Sequence, residues 1–247
     1  ISFFFIMKKK IISIDVGIKN MAYCIIEKNH DNFEILNWDT INILDDKINN
    51  LPKCNNIIKN KLCNKIAVLS LENNNSIKYF CNKITCNNFL TKNYSNIKTK
   101  KIKKINTKNI SLLELSSILI NKLISLKDII LNVDEVIIEN QPVLKNPTMK
   151  SIQIVLFSFF IEHGYNSDIS PINNIHLFSA RDKLKLYKGP QIDTSKIKNN
   201  YKKRKYLSIE YTKYYINDSK FYQFFLNNNK KDDLADCFIQ GYYYLFK

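Results

Sequence analysis

Lys10-Ile-Ile-Ser-Ile-Asp15 is a short apolar run that ends in a carboxylate and passes into Val16-Gly17, which predicts a buried strand. Residues 21–27 and 33–43 read as two further strands, with the turn residues Asn29-His30-Asp31-Asn32 between them. Three strands in succession predict an antiparallel meander. Residues 50–107 show no clear period, are rich in lysine and asparagine, and read as an insertion or small subdomain. Periodicity returns at Ser111-Leu-Leu-Glu114, a capping-box pattern, and Leu115, Leu119, Leu123 and Leu126 continue it at helical spacing to near Lys127. Residues 133–139 predict another buried strand, followed by a loop containing Pro142 and Pro147. Residues 149–163 are apolar and of helical length, with Gly164 placed to end the helix. Asn174–Phe178 predicts a strand, residues 181–205 are basic and weakly patterned, residues 206–216 read as helical, and Lys231–Phe246 as a terminal helix. Strands first, then alternating helix and strand, predict an α/β domain with a mixed sheet.

Composition permits this and adds a partner. A chain of 247 residues, 45% apolar, buries a sizeable core as one domain, 1–247, carrying the 50–107 insert. The net charge of +16 points to a polyanion, for which nucleic acid is the usual candidate. Only Arg181 and Arg204 among the 38 basic residues are arginine, and an A+T-rich gene would yield the same excess of Lys, Asn and Ile, so charge alone decides little. The apolar opening, residues 1–7, is too short to span a bilayer, and the lysines after it lie on the wrong side for a signal peptide. With no Met at position 1, the residues before Met7 read as untranslated upstream sequence and stay out of the fold argument. With no membrane-length stretch and no secretion signal, the chain reads as intracellular and reduced, and clustered cysteines there suggest metal before disulfide.

Four carboxylates stand where chemistry would place them. Asp15 ends the first strand beside the small Gly17, and Glu139 ends the apolar strand Val136-Ile-Ile-Glu139. If those strands are parallel neighbours, both acids emerge at one carboxyl edge. Asp233 and Asp236, three apart on the terminal helix, share a face that would close over that edge. Such a cluster resists full ionisation without a cation. Two Mg²⁺ ions about 4 Å apart would relieve it and clamp an in-line phosphoryl displacement. The plain alternative is that acids in a helix's first turns answer its dipole, but that leaves Glu139 unexplained.

The same residues carry a resemblance. Ile14-Asp15-Val16-Gly17-Ile18-Lys19-Asn20 resembles the first motif of RuvC-type resolvases. Ile137-Ile138-Glu139-Asn140-Gln141-Pro142, continuing through Asn146-Pro147-Thr148-Met149-Lys150, is similar to the second motif of the poxvirus-type Holliday junction resolvases and their yeast mitochondrial relatives. Lys230-Lys231-Asp232-Asp233-Leu234-Ala235-Asp236 resembles the closing motif, with Asp232 as an extra acid, so the ligand on this helix is open between Asp232 and Asp233. The resemblance implies an RNase H-like fold, α/β with a mixed sheet flanked by helices, into which the cysteine-containing segment 50–107 is inserted. It implies a magnesium-dependent homodimeric endonuclease, with Mn²⁺ able to substitute, that nicks four-way DNA junctions in symmetric pairs. It also implies a viral protein acting in the infected cell, and a lysine assisting at the scissile phosphate, for which Lys203 or Lys205 is the candidate. Lys202, Lys203, Arg204 and Lys205 would bind DNA phosphates, with Arg181 and Lys183 as weaker candidates.

Cys54-x8-Cys63-x17-Cys81-x4-Cys86 supplies four thiols, enough to close a structural zinc site in a segment too polar to fold on a core of its own. His30, His163 and His176 show no ligand spacing, while Trp38, Phe157, Phe159 and Phe160 read as core. Three other functions compete. A sugar-kinase-like or actin-like ATPase needs a second Asp-x-Gly and a glycine-rich site, and only Gly17 of four glycines has that context. A non-catalytic DNA-binding protein leaves the acids unexplained. An RNase H-fold nuclease on a hybrid or flap differs from a resolvase only by the resemblance.

Overall fold

The computed structural model describes residues 8–73, 76–103, 105, 107–144, 146–169, 171–179 and 182–247, the side chains of Asp46 and Lys108 apart. The opening apolar segment and Arg181 lie outside the described residues. In chain order the elements are β1 (Lys9–Asp15), β2 (Met21–Asn29), β3 (Asn32–Ile41), α1 (Asp45–Asn49), β4 (Ile57–Ile58), β5 (Lys61–Leu62), β6 (Leu69–Asn73), β7 (Ser76–Phe80), α2 (Ile84–Tyr94) and β8 (Lys100–Lys101). They continue with α3 (Leu112–Ser125), α4 (Lys127–Ile130), β9 (Glu135–Glu139), α5 (Pro147–Phe160), β10 (Asn174–Phe178), α6 (Asn200–Tyr215), α7 (Tyr222–Asn227) and α8 (Lys231–Phe246). They fall into two compact units: residues 1–43 with Ser111–Lys247, and Leu44–Ile110.

The first unit is a five-stranded mixed sheet in the order β10-β9-β1-β2-β3. β1, β2 and β3 form the antiparallel meander, while β9 and β10 join parallel to β1 and to each other. The hairpin between β2 and β3 turns at His30, whose φ of 53° is left-handed. Gly17 serves the turn between β1 and β2: a Cβ there would sit 2.6 Å from the carbonyl oxygen of Asn20.

Both faces of the sheet are covered, so its central strands are apolar on both sides. Ile11, Ser13 and Ile137 face α8, whereas Ile12, Ile14, Val136 and Ile138, one position out of phase, face the α5 side. α8 is held against β1 by close approach, since a Cβ at Gly241 would lie 2.9 Å from that of Ser13. Gln240 adds hydrogen bonds from Nε2 to Ser13 Oγ (3.1 Å) and to the Ile14 carbonyl (3.3 Å). At the far end of the helix Tyr244 Oη donates to Glu135 Oε2 at 2.7 Å. Trp38 stacks on Phe225 and its indole N–H reaches the Leu234 carbonyl.

Two expectations are corrected. Gly164 is no left-handed helix stop: no described glycine has positive φ, and α5 passes instead into a π-helical turn, Ile161–Tyr165. Gly164 is small because Ile172 packs on it, 2.4 Å from where a Cβ would be. The basic run Tyr201-Lys202-Lys203-Arg204-Lys205 lies inside α6 rather than ahead of it, because Asn199 caps that helix by accepting the Lys202 N–H at 3.0 Å.

The second unit holds a three-stranded sheet, β7-β6-β8, the small hairpin β4-β5, and α2. Its apolar centres are few: Leu71, Phe80 and Leu90 under the larger sheet, and the cysteines.

Candidate active site

Strand phase puts the first two acids together. Asp15 shares the parity of Ile11 and Ser13, and Glu139 that of Ile137, so both side chains face α8. The parallel register Ile14↔Ile138 makes Asp15 and Glu139 the next pair along, close enough for the charge of Glu139 to weigh on Asp15. On α8, Asp233 and Asp236 precede the docked Gln240 by seven and four residues, so they face the same strand ends. The acids from three distant segments therefore meet at the carboxyl edge of β1 and β9.

Cations of the chain already occupy this meeting place. Asp236 receives Lys183 Nζ at 2.8 Å and Ser208 Oγ at 2.9 Å on Oδ1, and Lys205 Nζ at 2.6 Å on Oδ2. Lys205 also lies 3.5 Å from both Asp232 and Asp233. A shallow pocket beside them is lined by Glu139, Lys183, Tyr201, Arg204, Lys205 and Asp236. Lys203, two residues from Lys205, is turned about 200° round α6 from it. The ammonium groups that reach the acids belong to Lys183 and Lys205.

The electrostatics follow from this geometry. Loss of solvent, then the hydrogen bond and charge of Glu139, then Asp236, push Asp15 well above the usual carboxylate range, against the pull of Lys183. Asp233 is raised by desolvation and by Asp232. Burial acts the same way on Asp236, but Lys183 and Lys205 together outweigh it and hold this acid below its ordinary value. Burial opposes the charge on Lys205, yet Asp236, Asp15 and Asp232 keep that ammonium above the ordinary lysine value.

Several positioning residues break no apolar pattern, so periodicity alone does not mark them. Gln141 Nε2 donates to Glu139 Oε2 at 2.9 Å, while its backbone N–H donates to Gln153 Oε1 at 2.7 Å. Lys150 Nζ bonds Asn140 Oδ1 at 2.9 Å and so ties α5 to the loop leaving β9. Gln240 and Ser208 belong to the same group. Gln240 was legible in principle, four residues beyond Asp236 on one helical face.

The cysteines form a separate constellation in the second unit. The sulfurs of Cys54, Cys63, Cys81 and Cys86 all lie within 4.8 Å of one another and form no disulfide. Cys54–Cys86, Cys63–Cys81 and Cys63–Cys86 are each 3.7 Å apart. Sulfurs at about 2.3 Å from a central zinc stand about 3.8 Å apart at the corners of a tetrahedron. Backbone N–H groups point at three of them, from Asn56 to Cys54, Lys65 to Cys63 and Lys83 to Cys81, and Asn56 Nδ2 lies 3.4 Å from the fourth, Cys86. These donors favour thiolates and hold Cys63 below its ordinary value, while burial pushes the Cys54 and Cys81 thiols up, a cost that a bound cation would offset. Among the described residues this is the one set of three or more metal-ligating side chains already gathered tightly, since Lys183 and Lys205 sit among the acids.

A mixed sheet with β1–β3 antiparallel, β9 and β10 parallel, and acids at the β1 and β9 ends is an RNase H-like arrangement. The chain belongs to the family described as mitochondrial resolvase Ydc2 / RNA splicing MRS1, whose model matches residues 11–163. The yeast mitochondrial Holliday junction resolvase Ydc2 shares the fold, with a TM-score of 0.51 and 16% identity over 96% of this chain and 79% of that one. A fowlpox virus resolvase in complex with Holliday junction DNA gives a TM-score of 0.45 at 18% identity, over 96% of this chain and 99% of that one. In sequence, the uncharacterized protein L451 of Acanthamoeba polyphaga mimivirus is 33% identical over 192 residues, 74% of this chain and 46% of that protein. The chain thus spans about half the length of the curated relative it matches. Among the described residues no helix is long and apolar enough to cross a membrane.

Proposed function

We propose that the chain is a divalent-metal-dependent DNA endonuclease that resolves four-way junctions by paired nicks. The observation that carries this reading is the convergence of Asp15, Glu139, Asp233 and Asp236 at one strand edge. The donor set fits Mg²⁺, or Mn²⁺ in its place: oxygens only, with like charges crowded enough to need a cation. Asp15, Glu139, Asp236 and one of Asp232 or Asp233 would hold it, and when bound it would supply an activated water and a stabilised leaving oxygen.

The remaining roles belong to the chain. Gln141 fixes the rotamer of Glu139, and Ser208 that of Asp236. Lys205 and Lys183 neutralise Asp236 and would meet a phosphate bound at these acids, which gives Lys205 the assisting role ahead of Lys203. Lys202, Lys203 and Arg204 offer contacts to flanking phosphates. A second copy would give the pairing of nicks. Leu113, Ile120 and Ile124 of α3 and Ile154 of α5 leave an exposed apolar stripe that supports a homodimer. The thiolate tetrahedron would take structural Zn²⁺, all four positions filled by protein. The mimivirus relative supports a viral, intracellular setting.

A second reading, a nucleic-acid-binding protein without cleavage, draws on the family description, which includes RNA splicing, and on the ammonium groups that already fill the acid cluster. One experiment separates them. A synthetic four-way junction, a linear duplex, an RNA–DNA hybrid and a flap are each incubated with the chain with and without Mg²⁺. Symmetric paired nicks on the junction alone are expected, reduced by about a hundredfold or more in Asp15→Asn and Glu139→Gln while binding survives. Cleavage indifferent to metal or to either substitution would refute the site. Tight binding with no cut under any metal would favour the second reading.

A further inference from the structure

We propose that the Leu44–Ile110 unit is a sequence-independent nucleic-acid-binding module whose ligand is the phosphodiester backbone. The observation is where the charge sits. This unit has 14 lysines against three acids, so it carries +11 of the chain's +16, while the rest, with 24 basic and 19 acidic residues, carries +5. A coding bias toward lysine acts on the whole gene alike, so the larger unit is an internal control, and it is nearly balanced. Nor does the cysteine site account for the excess. Four thiolates around one Zn²⁺ carry two net negative charges, far fewer than the eleven positive ones.

Seven of these lysines fall in two exposed groups. Lys59 and Lys61 belong to the hairpin β4-β5, which Cys54 and Cys63 flank and whose turn is set by left-handed Lys59 and Asn60 (φ 48° and 62°), and Lys65 follows two residues beyond Cys63. Lys98, Lys100, Lys101 and Lys103 lie on and around β8, one of the two edge strands of the three-stranded sheet. Lysine on an edge also blocks strand pairing, which accounts for β8 but not for the hairpin. No acid occurs between Glu72 and Ile110 or between Lys47 and Leu71. An apolar cleft of about 490 Å³, lined by Ile57, Ile77, Phe80 and Phe89, opens in the same unit, with Phe89 41% exposed. Lysines for phosphates, together with apolar and aromatic surface for sugars and bases, are the two components of sequence-tolerant binding. The proposal stands apart from cleavage and rests on the zinc reading only for the rigidity of the hairpin.

The test uses the full chain and an unbranched duplex without added divalent metal, titrated with salt. Lys59→Gln/Lys61→Gln/Lys65→Gln and Lys98→Gln/Lys100→Gln/Lys101→Gln are compared with Lys127→Gln/Lys188→Gln/Lys247→Gln, three exposed lysines of the other unit. Each unit variant is expected to bind at least about tenfold more weakly, and to lower the slope of log K against log salt by about 2 to 3, near 0.9 for each phosphate no longer neutralised. The control should stay within about twofold of the parent protein. Parental affinity and slope in both unit variants would overturn the proposal. Zinc per chain and junction nicking at saturating protein, measured on the same samples, keep the three readings apart. Absence of zinc would put weakened binding down to misfolding, in which case the single variants Lys59→Gln and Lys101→Gln decide. Absence of nicking with retained duplex binding would count against the nuclease alone.

Discussion

Asp15 sits at the end of a strand with Glu139 and Asp236 for neighbours, and its upward shift records how poorly that position accepts another negative charge. The folded chain binds this proton more tightly than the unfolded one. The group's share of stability is therefore full in acid and is lost as pH rises from the ordinary value of 3.8 toward the raised one. Asp15→Asn should then raise the melting temperature at neutral pH without added metal, by roughly 2–4 °C per kcal/mol recovered. The gain should vanish near pH 3, and the variant should lose the added stability that Mg²⁺ gives the parent protein. Calorimetry at the two pH values checks this, and a lower neutral melting point in the variant would contradict it. The four acids were visible in sequence because each broke an apolar pattern or opened a helix. Which lysine faced them was not, because Lys183 lies in an irregular segment and the polar first turns of α6 conceal where that helix starts, and so its phase.

α8 is the element that turns separate acids into a site. Gln240 satisfies Ser13 and the Ile14 carbonyl in a buried place, and Gly241 lets the helix lie directly on β1. Gln240→Leu leaves both groups without their donor and should cost about 1–3 kcal/mol, read as a lower urea midpoint. Because Asp233 and Asp236 ride on the same helix, kcat should fall with KM little changed, and an unchanged kcat would mean that the acids are positioned by Lys205 and Ser208 instead. The sheet strands and α8 were legible because burial on one or both faces writes a period into the sequence. β4, β5 and β8, two residues each, are too short to write one. α6 was half legible, since its apolar stripe is narrow and its lysine-rich first turns resemble a loop.

As a whole molecule the chain combines a unit stabilised by a large apolar core with one whose apolar centres are small. Removing a thiolate-bound ion should therefore be felt in Leu44–Ile110 first. The purified protein is expected to carry about one Zn²⁺ per chain. A strong chelator, or Cys63→Ser, should increase hydrogen exchange through residues 44–110 while β1 and β9 keep their protection. A metal-free preparation with the same exchange pattern would rule the ion out. The pleat described for β1 and β9 has a consequence for the gene. One codon added inside either strand would carry its terminal carboxylate through to the opposite side of the sheet, so tolerated length changes should gather in loops and spare both strands.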